Sequence, residues 1–585
     1  MRAGLRVGGA CVLVALAAGC VRPGAPAVAP KSALPPATQP VTFTDRAREM
    51  GIDFMHFTGA HGRHWYPEII GAGVCVFDYD QDGWMDILFL NGAPLPGTPR
   101  AKAAPALRLY HNEGGVRFTE VTAKAGLNVT LYAMGAAAAD VDGDGYPELY
   151  VTAMGKNRLF RNVEGTHFEE VTDRAGVGDG HWGMGAVWFD MDGDGDLDLF
   201  VANYVAWSAA NDPGCGTPRG TAYCGPDSYP NSHNVLYRND GHLHFTDVSA
   251  AWGVTGPCRG MGAAAADLDE DGRPDLIVAN DRVPTQVYHN LGTRFEEVGV
   301  VSGLTHGATM NVMAGMGVAV LDHRNDGSLA VAVSNFSQDG LGFFERTDAH
   351  RLLFKQAARE AGVFLSSAPL LGFGTVAIES NNDGWRDLFI TNGHVFDNIE
   401  QTDPTTKFRE PPLLFLNAGG GKFTDVSAQS GAVFAEPVLG RGAATGDFNN
   451  DGWPDLVVNT NGGHAQLLMN SGRPDAHWLT VIVGGDALNR DAIGAQVEVV
   501  AGGMTQREWI QAGNSYLSQS ELRAHFGLGS LTKVDEVRVR WPDGATRTVQ
   551  GVSANQCVVI QHSNEKEATL ESGRSWMNRP PTFDL

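Results

Sequence analysis

Short stretches of alternating apolar and polar residues recur along the chain. They run Phe118-Thr-Glu-Val-Thr122, Phe168-Glu-Glu-Val-Thr172, Phe245-Thr-Asp-Val-Ser249, Phe295-Glu-Glu-Val298 and Phe423-Thr-Asp-Val-Ser427, with a weaker Leu353-Phe-Lys355. Such alternation predicts half-buried strands at sheet edges. A Leu-aromatic-x-Asn strand precedes six of these stretches, as in Leu109-Tyr-His-Asn112, Leu159-Phe-Arg-Asn162, Leu236-Tyr-Arg-Asn239 and Leu414-Phe-Leu-Asn417. Upstream again lies a wholly apolar, β-branched and aromatic run such as Leu199-Phe-Val-Ala-Asn203, which reads as a buried strand. Small residues come first: Gly135-Ala-Ala-Ala-Ala139, Gly185-Ala-Val-Trp-Phe189, Gly262-Ala-Ala-Ala-Ala266. They suit an innermost strand crowded around an axis.

Each repeat is thus four strands over about 50 to 75 residues, a unit that assembles radially into a β-propeller. Seven units occupy 41–474. The last ends near Met469-Asn470 without its edge strand, and Phe43-Thr-Asp45 is an edge strand without a blade. Closure of the seventh blade by the N-terminal strand accounts for both. An open solenoid would leave that strand unexplained and an edge unpaired. Residues 475–562 contain strand pairs around Gly502-Gly503 and Pro542-Asp-Gly544, which predict a small β-sandwich-like domain. The expected fold class is all-β, with a disordered tail over 563–585.

The chemistry lies between the first two strands of each unit. Asp190, Asp192, Asp194 and Asp198 occupy positions 1, 3, 5 and 9 of one loop, with Gly195 at the sharp turn. The registration repeats at Asp78, Asp80, Asp82 and Asp86; at Asp140, Asp142, Asp144 and Glu148; and at Asp267, Asp269, Asp271 and Asp275. Two copies carry Asn at position 3: Glu379, Asn381, Asp383 and Asp387, and Asp447, Asn449, Asp451 and Asp455. Converging hard oxygens suit Ca²⁺. An EF-hand would need Glu at position 12 and a following helix, but position 12 is apolar in these copies (Phe89, Val151, Val201, Val278, Ile390, Val458). A seventh copy is broken, with Arg324 between Asp322 and Asp326 and Ala330 at position 9. About six calcium ions are expected, and Arg324 is expected to neutralise its neighbours.

Net charge is −24, half of which six Ca²⁺ would offset. So acidic a chain excludes nucleic acid, which wants a basic face. Residues 1–20 read as an export signal, with Arg2 and Arg6 before an apolar run too short for a comfortable membrane span. The run ends Leu16-Ala17-Ala18-Gly19-Cys20, which resembles a bacterial lipoprotein box with Cys20 lipidated. Plain signal cleavage, leaving a periplasmic or secreted protein, is the alternative. Residues 21–40 are Pro-rich and read as a tether. Membrane attachment would be through the lipid alone.

An exported chain permits disulfides. Cys215 and Cys224, in one Gly/Pro-rich insertion, are the favoured pair, though Cys258 could replace either. Strand order puts the insertions 204–235 and 392–412 on the face opposite the loops. Tyr204, Trp207 and Tyr223 are candidate ligand anchors there. His56, His61, His64, His181, His306, His394 and His464 gather on the same face. A transition-metal or acid–base site is one reading, and solvated or strand-capping loop histidines the plainer one. Asn514-Ser515-Tyr516 and Ser518 lack a nucleophile elbow and read as turn and strand residues.

These repeats resemble FG-GAP (VCBS) repeats, as in the integrin alpha-chain propeller. His477-Trp-Leu, Asn489-Arg-Asp-Ala-Ile-Gly-Ala495, Tyr516-Leu-Ser-Gln519, His525-Phe-Gly-Leu-Gly529 and Val539-Arg-Trp-Pro-Asp-Gly544 resemble an ASPIC/UnbV domain. Together they are similar to the cartilage-acidic-protein family over roughly 41–562. The resemblance implies a calcium-binding propeller of extracellular or periplasmic type without well-defined catalytic residues. The expected role is that of a binding or adhesion module at a cell surface or in the periplasm, taking an unknown protein or glycan ligand. A propeller enzyme, polysaccharide-active or biosynthetic, is the alternative, with its site on the face opposite the loops.

Overall fold

Among the described residues, alternation, apolar runs and small-residue runs become the outer, middle and inner strands of seven four-stranded antiparallel sheets. The computed structural model describes residues 40–96, 107–217, 220–348 and 350–562. The expected export signal, Cys20, nearly all of the tether and the tail lie outside them. In the third sheet the strands are Gly183–Phe189, Asp198–Asn203, Val235–Asn239 and Phe245–Asp247. The first two are wholly buried, whereas the edge strand buries only Phe245. The inner strands contact one another in sequence order, and that of the last sheet, Gly440–Gly446, contacts that of the first, Val74–Phe77, so the ring closes. Phe43–Asp45 pairs antiparallel with Gln466–Asn470 and completes the last blade. Apolar wedges fill the spaces between neighbouring blades, such as Leu88, Leu109, Ala136, Leu149 and Phe160.

Residues 477–561 form a three-stranded sheet (Ala524–Gly529, His477–Gly484, Gln556–Gln561) and a four-stranded one (Met504–Trp509, Gln496–Ala501, Lys533–Arg540, Thr546–Ser553). Leu479, Val481, Val497, Val499, Phe526 and Val537 share one core between them, and that core continues into Tyr150 and Trp188 of the propeller.

Between Trp509 and Ala524 the chain leaves this domain and enters the propeller channel. Ala512 bridges to Trp188, Ser515 to Val318, and Gln519 to Cys75. Backbone hydrogen bonds join Ser515 to Val318 (2.8 and 3.1 Å) and Gln519 to Val74 and Val76 (both 3.0 Å). The Gln519 amide pairs with both backbone groups of Ala138 at 2.9 Å. At the tip, Tyr516 is fully buried and donates to the Ile70 carbonyl at 3.0 Å. Inner-strand glycines make room. A Cβ on Gly73 would lie 1.7 Å from the Leu517 carbonyl oxygen, and one on Gly262 2.7 Å from that of Ser515. The inner strands are thus small because a polypeptide fills the axis.

Candidate metal centres and the opposite face

Each loop is organised by its own carboxylates. Asp190 at position 1 accepts the N–H groups of Gly193 (2.7 Å) and Gly195 (3.1 Å), and Asp194 at position 5 accepts that of Asp196 (3.0 Å). Position 9 faces inward. Asp198 accepts the Met191 N–H through one oxygen and the Asn239 N–H through the other, both at 2.8 Å. The same two bonds recur at Asp86, Glu148, Asp275, Asp387 and Asp455. This carboxylate therefore ties the loop to the third strand.

The Asn ending each third strand has a function that its spacing did not reveal. Its side chain donates to the neighbouring blade: Asn162 to Tyr79 (2.8 Å), Asn290 to Met191 (2.8 Å), Asn470 to Ser380 (2.8 Å). In the fifth blade Arg346 replaces it, donating to the Leu268 carbonyl at 2.7 Å and pairing with Glu270.

Ligand oxygens come within 4.8 Å of one another in Asp78, Asp80 and Asp82; in Asp140, Asp142 and Glu148; and in Asp190, Asp192 and Asp194. One oxygen each of Asp80 and Asp192 is buried without a hydrogen-bond partner. A hard-oxygen donor set with orphaned oxygens fits a divalent cation. Sequence reading missed two neighbours: His111 joins Asp80 and Asp86, and His289 joins Asp269 and Asp271. Both occupy the x of the Leu-aromatic-x-Asn strand or its variant, and x therefore faces the loop. In the second loop the same position is Arg161, which binds Asp142 and Asp144 at 2.8 and 2.9 Å.

The fifth loop corrects one expectation. Arg324 does not neutralise Asp322 and Asp326; it turns to Glu345 and to His323. The cation near Asp322 is Arg507 of the C-terminal domain, at 3.7 Å.

That domain covers the loop face. Arg523 donates to the Gly83 carbonyl and to Asn450, Arg490 to the Gly143 carbonyl, and Asp491 accepts the Asp140 N–H at 2.7 Å. Leu488 packs at Gly195, Arg540 lies 3.9 Å from Asp267, Arg386 pairs with Glu508, and Glu521 accepts the Asp447 N–H at 3.0 Å. Burial raises the pKa of the carboxylates at positions 1 and 9 of the six intact loops. Burial, with Glu521 alongside, pushes Asp447 up to about 8. Burial, with Asp491 alongside, pushes Asp140 up to about 7, and burial alone dominates at Asp86, also about 7.

On the opposite face, Cys215 and Cys224 are joined as a disulfide with Cα atoms 5.2 Å apart, and Cys75 and Cys258 are buried free thiols. Tyr204 is not a ligand anchor. It is fully buried, its hydroxyl held by Tyr66 and Asp281, because it packs the insertion onto the channel end. Trp207 and Tyr223 are partly buried; Trp207 donates to Asp212 at 2.8 Å and Tyr223 to Glu68 at 3.0 Å. The histidines do not form one cluster. Burial pushes His56 down to about 3 and His394 to about 4, each accepting a backbone N–H at 3.1 Å. His181 pairs with Asp179. His61 faces Glu68, while His64 faces Thr221 and Asp397. Glu68 went unremarked in the sequence; a lone carboxylate within Tyr66-Pro-Glu-Ile-Ile70 was the available signal. Ser515 and Ser518 are buried and spent on backbone hydrogen bonds, which leaves no nucleophile there.

The FG-GAP-like repeat pattern matches residues 78–151, 140–201, 223–278, 267–333 and 381–458, together more than half of the chain. The ASPIC and UnbV pattern matches 485–567. Cartilage acidic protein 1 of Xenopus tropicalis is 26% identical over 348 residues, 57% of this chain and 49% of the relative. The mouse protein of the same name is 25% identical over 359 residues, 57% and 51%. The match thus spans about half the length of these relatives. Among solved structures, YCF48 from Cyanidioschyzon merolae overlaps with a TM-score of 0.35 at 9% identity, covering 69% of this chain and 96% of that one.

Proposed function

Since the chain belongs to the FG-GAP-like repeat family and carries an ASPIC and UnbV domain, we propose that it is an exported, calcium-stabilised binding module. Calcium would be held by the six intact loops, where it would neutralise buried carboxylates and so link binding to folding. The protein or glycan ligand would meet the opposite face. One observation carries this reading: every loop, including the broken one, touches the C-terminal domain, so the loop face is already occupied. The face left to a partner bears the insertions 204–235 and 392–412. The disulfide would hold the first in one shape and reduce the entropy lost on binding. It also fits an oxidising compartment.

A glycan and protein array probed with calcium-loaded full-length protein would identify the ligand. Trp207→Ala and Tyr223→Ala are expected to abolish capture while the protein stays folded, as melting curves check. Intact capture by both variants would place the binding surface elsewhere.

A further inference from the structure

The face opposite the loops buries a carboxylate with no cation beside it. The Glu68 side chain is 1% exposed. Its Oε2 accepts the Tyr223 hydroxyl at 3.0 Å, while Oε1 is buried with no hydrogen-bond partner. Facing Oε1 at 3.7 Å is Nδ1 of His61, whose side chain is 9% exposed. Both ring nitrogens of His61 are likewise buried and without hydrogen-bond partners. Among the described residues, no Lys or Arg lies within ion-pair distance of Glu68. Unpaired charge and unmatched polar atoms are costly at such burial. Two of these orphaned atoms, His61 Nδ1 and Glu68 Oε1, face each other across one gap.

The separation indicates what kind. At 3.7 Å the two atoms are too far apart for a hydrogen bond. Two ligands on one tetrahedral ion, each bonded at about 2.1 Å, stand roughly 3.4 Å apart. We infer that His61 Nδ1 and Glu68 Oε1 bind a divalent transition-metal ion of the Zn²⁺ class. Imidazole nitrogen suits zinc and copper, whereas Ca²⁺ takes oxygen, so this centre differs chemically from the loops. The Tyr223 hydroxyl orients the carboxylate from behind, as outer-shell donors do at metal sites. Trp65 lies edge-on to His61, ring centres 4.9 Å apart, and Trp207 lies 5.8 Å beyond Trp65. The disulfide-closed insertion therefore walls the site. With two protein ligands, the other coordination positions are open to water or to a donor from outside. The inference does not depend on the ligand-capture reading.

The test uses full-length protein held in excess Ca²⁺, so that the loops are saturated, and titrated with Zn²⁺ by calorimetry. One Zn²⁺ per chain is expected, and Co²⁺ in its place should show visible absorption bands. His61→Ala and Glu68→Gln should each abolish the site. Tyr223→Phe should weaken it by about tenfold, the usual effect of losing an outer-shell partner. Melting curves in calcium check that the variants fold; should Glu68→Gln not fold, His61→Gln decides. Absence of zinc binding to the wild type would overturn the inference. So would a site that survives His61→Ala, or one lost instead in a His111→Ala/His289→Ala variant, which would put zinc in the loops.

Discussion

The two ends of the propeller solve opposite problems. At the loop end, carboxylates crowd at six positions, and the C-terminal domain is laid over them. Some of its contacts add cations, such as Arg507 near Asp322, but Asp491 and Glu521 bring further negative charge to buried loops. In the proposed calcium-loaded state a bound cation would offset that charge. At the other end the channel is stoppered by apolar and aromatic packing: Tyr66, Met134, Met184, Met261, Phe373 and Tyr516 form one cluster. Charge there is sparse and local, as at Glu68 and at Arg441, whose buried guanidinium donates to the Ile69 carbonyl at 2.7 Å and stacks on Phe373. On the proposed reading one end depends on ions and the other on packing, and the segment 510–521 ties them together.

Removing calcium should have the largest effect. Saturating ligand at about a thousandfold over Kd contributes roughly 4 kcal/mol for each site. Chelation should therefore lower the melting temperature markedly, and added calcium should restore it. An unchanged melting curve in excess chelator would break the contrast between the ends.

Cutting the plug comes next. Tyr516→Ala removes a fully buried ring that contacts Phe373 at 4.9 Å and leaves the Ile70 carbonyl without its donor. Large-to-small changes of this kind cost about 3 to 5 kcal/mol. Denaturant unfolding in saturating calcium reads that loss separately from the metal effect.

The pH dependence follows from the raised carboxylates. In metal-free protein Asp447 titrates near 8 and Asp86 and Asp140 near 7, against about 4 unfolded. The folded state then binds the extra protons, so their contribution is present at low pH and lost as pH rises towards 8. Above pH 6.5 the buried, neutral His56, His394 and His525 no longer oppose this, because unfolded histidine is neutral there too. Chelated protein should therefore lose melting temperature between pH 6.5 and 8. Calcium should flatten that slope, leaving the part due to raised carboxylates outside the loops, among them Glu410, which titrates near 8, and Glu521, near 7. A slope unaffected by calcium would mean that the loops do not hold it.

The smallest effect separates intact from broken loops. Asp190 and Asp322 both occupy position 1 and both accept the N–H of the following glycine at position 6. Asp190→Ala should lower the calcium content by one ion per chain, and Asp322→Ala should leave it unchanged. Metal analysis of the two variants decides it.

The strand periodicities, the Asp-rich registration and the orphan Phe43-Thr-Asp45 were enough to read the propeller and its closure, because each rests on contacts within a blade or between neighbouring ones. Local rules of side-chain alternation and loop spacing carry that information. The same rules said nothing about where the C-terminal domain docks. Its anchoring residues, Asp491, Glu521, Arg523 and Gln519, look like ordinary surface residues until they meet partners 74 to 440 positions away. The Leu-aromatic-x-Asn element was visible, yet the reach of its Asn across to the next blade was not. Arg324 shows the limit most plainly: its sequence position suggested a counter-charge for Asp322, and tertiary packing gave that place to Arg507 and sent Arg324 to Glu345. A long side chain has many partners within reach, and only the assembled fold selects among them.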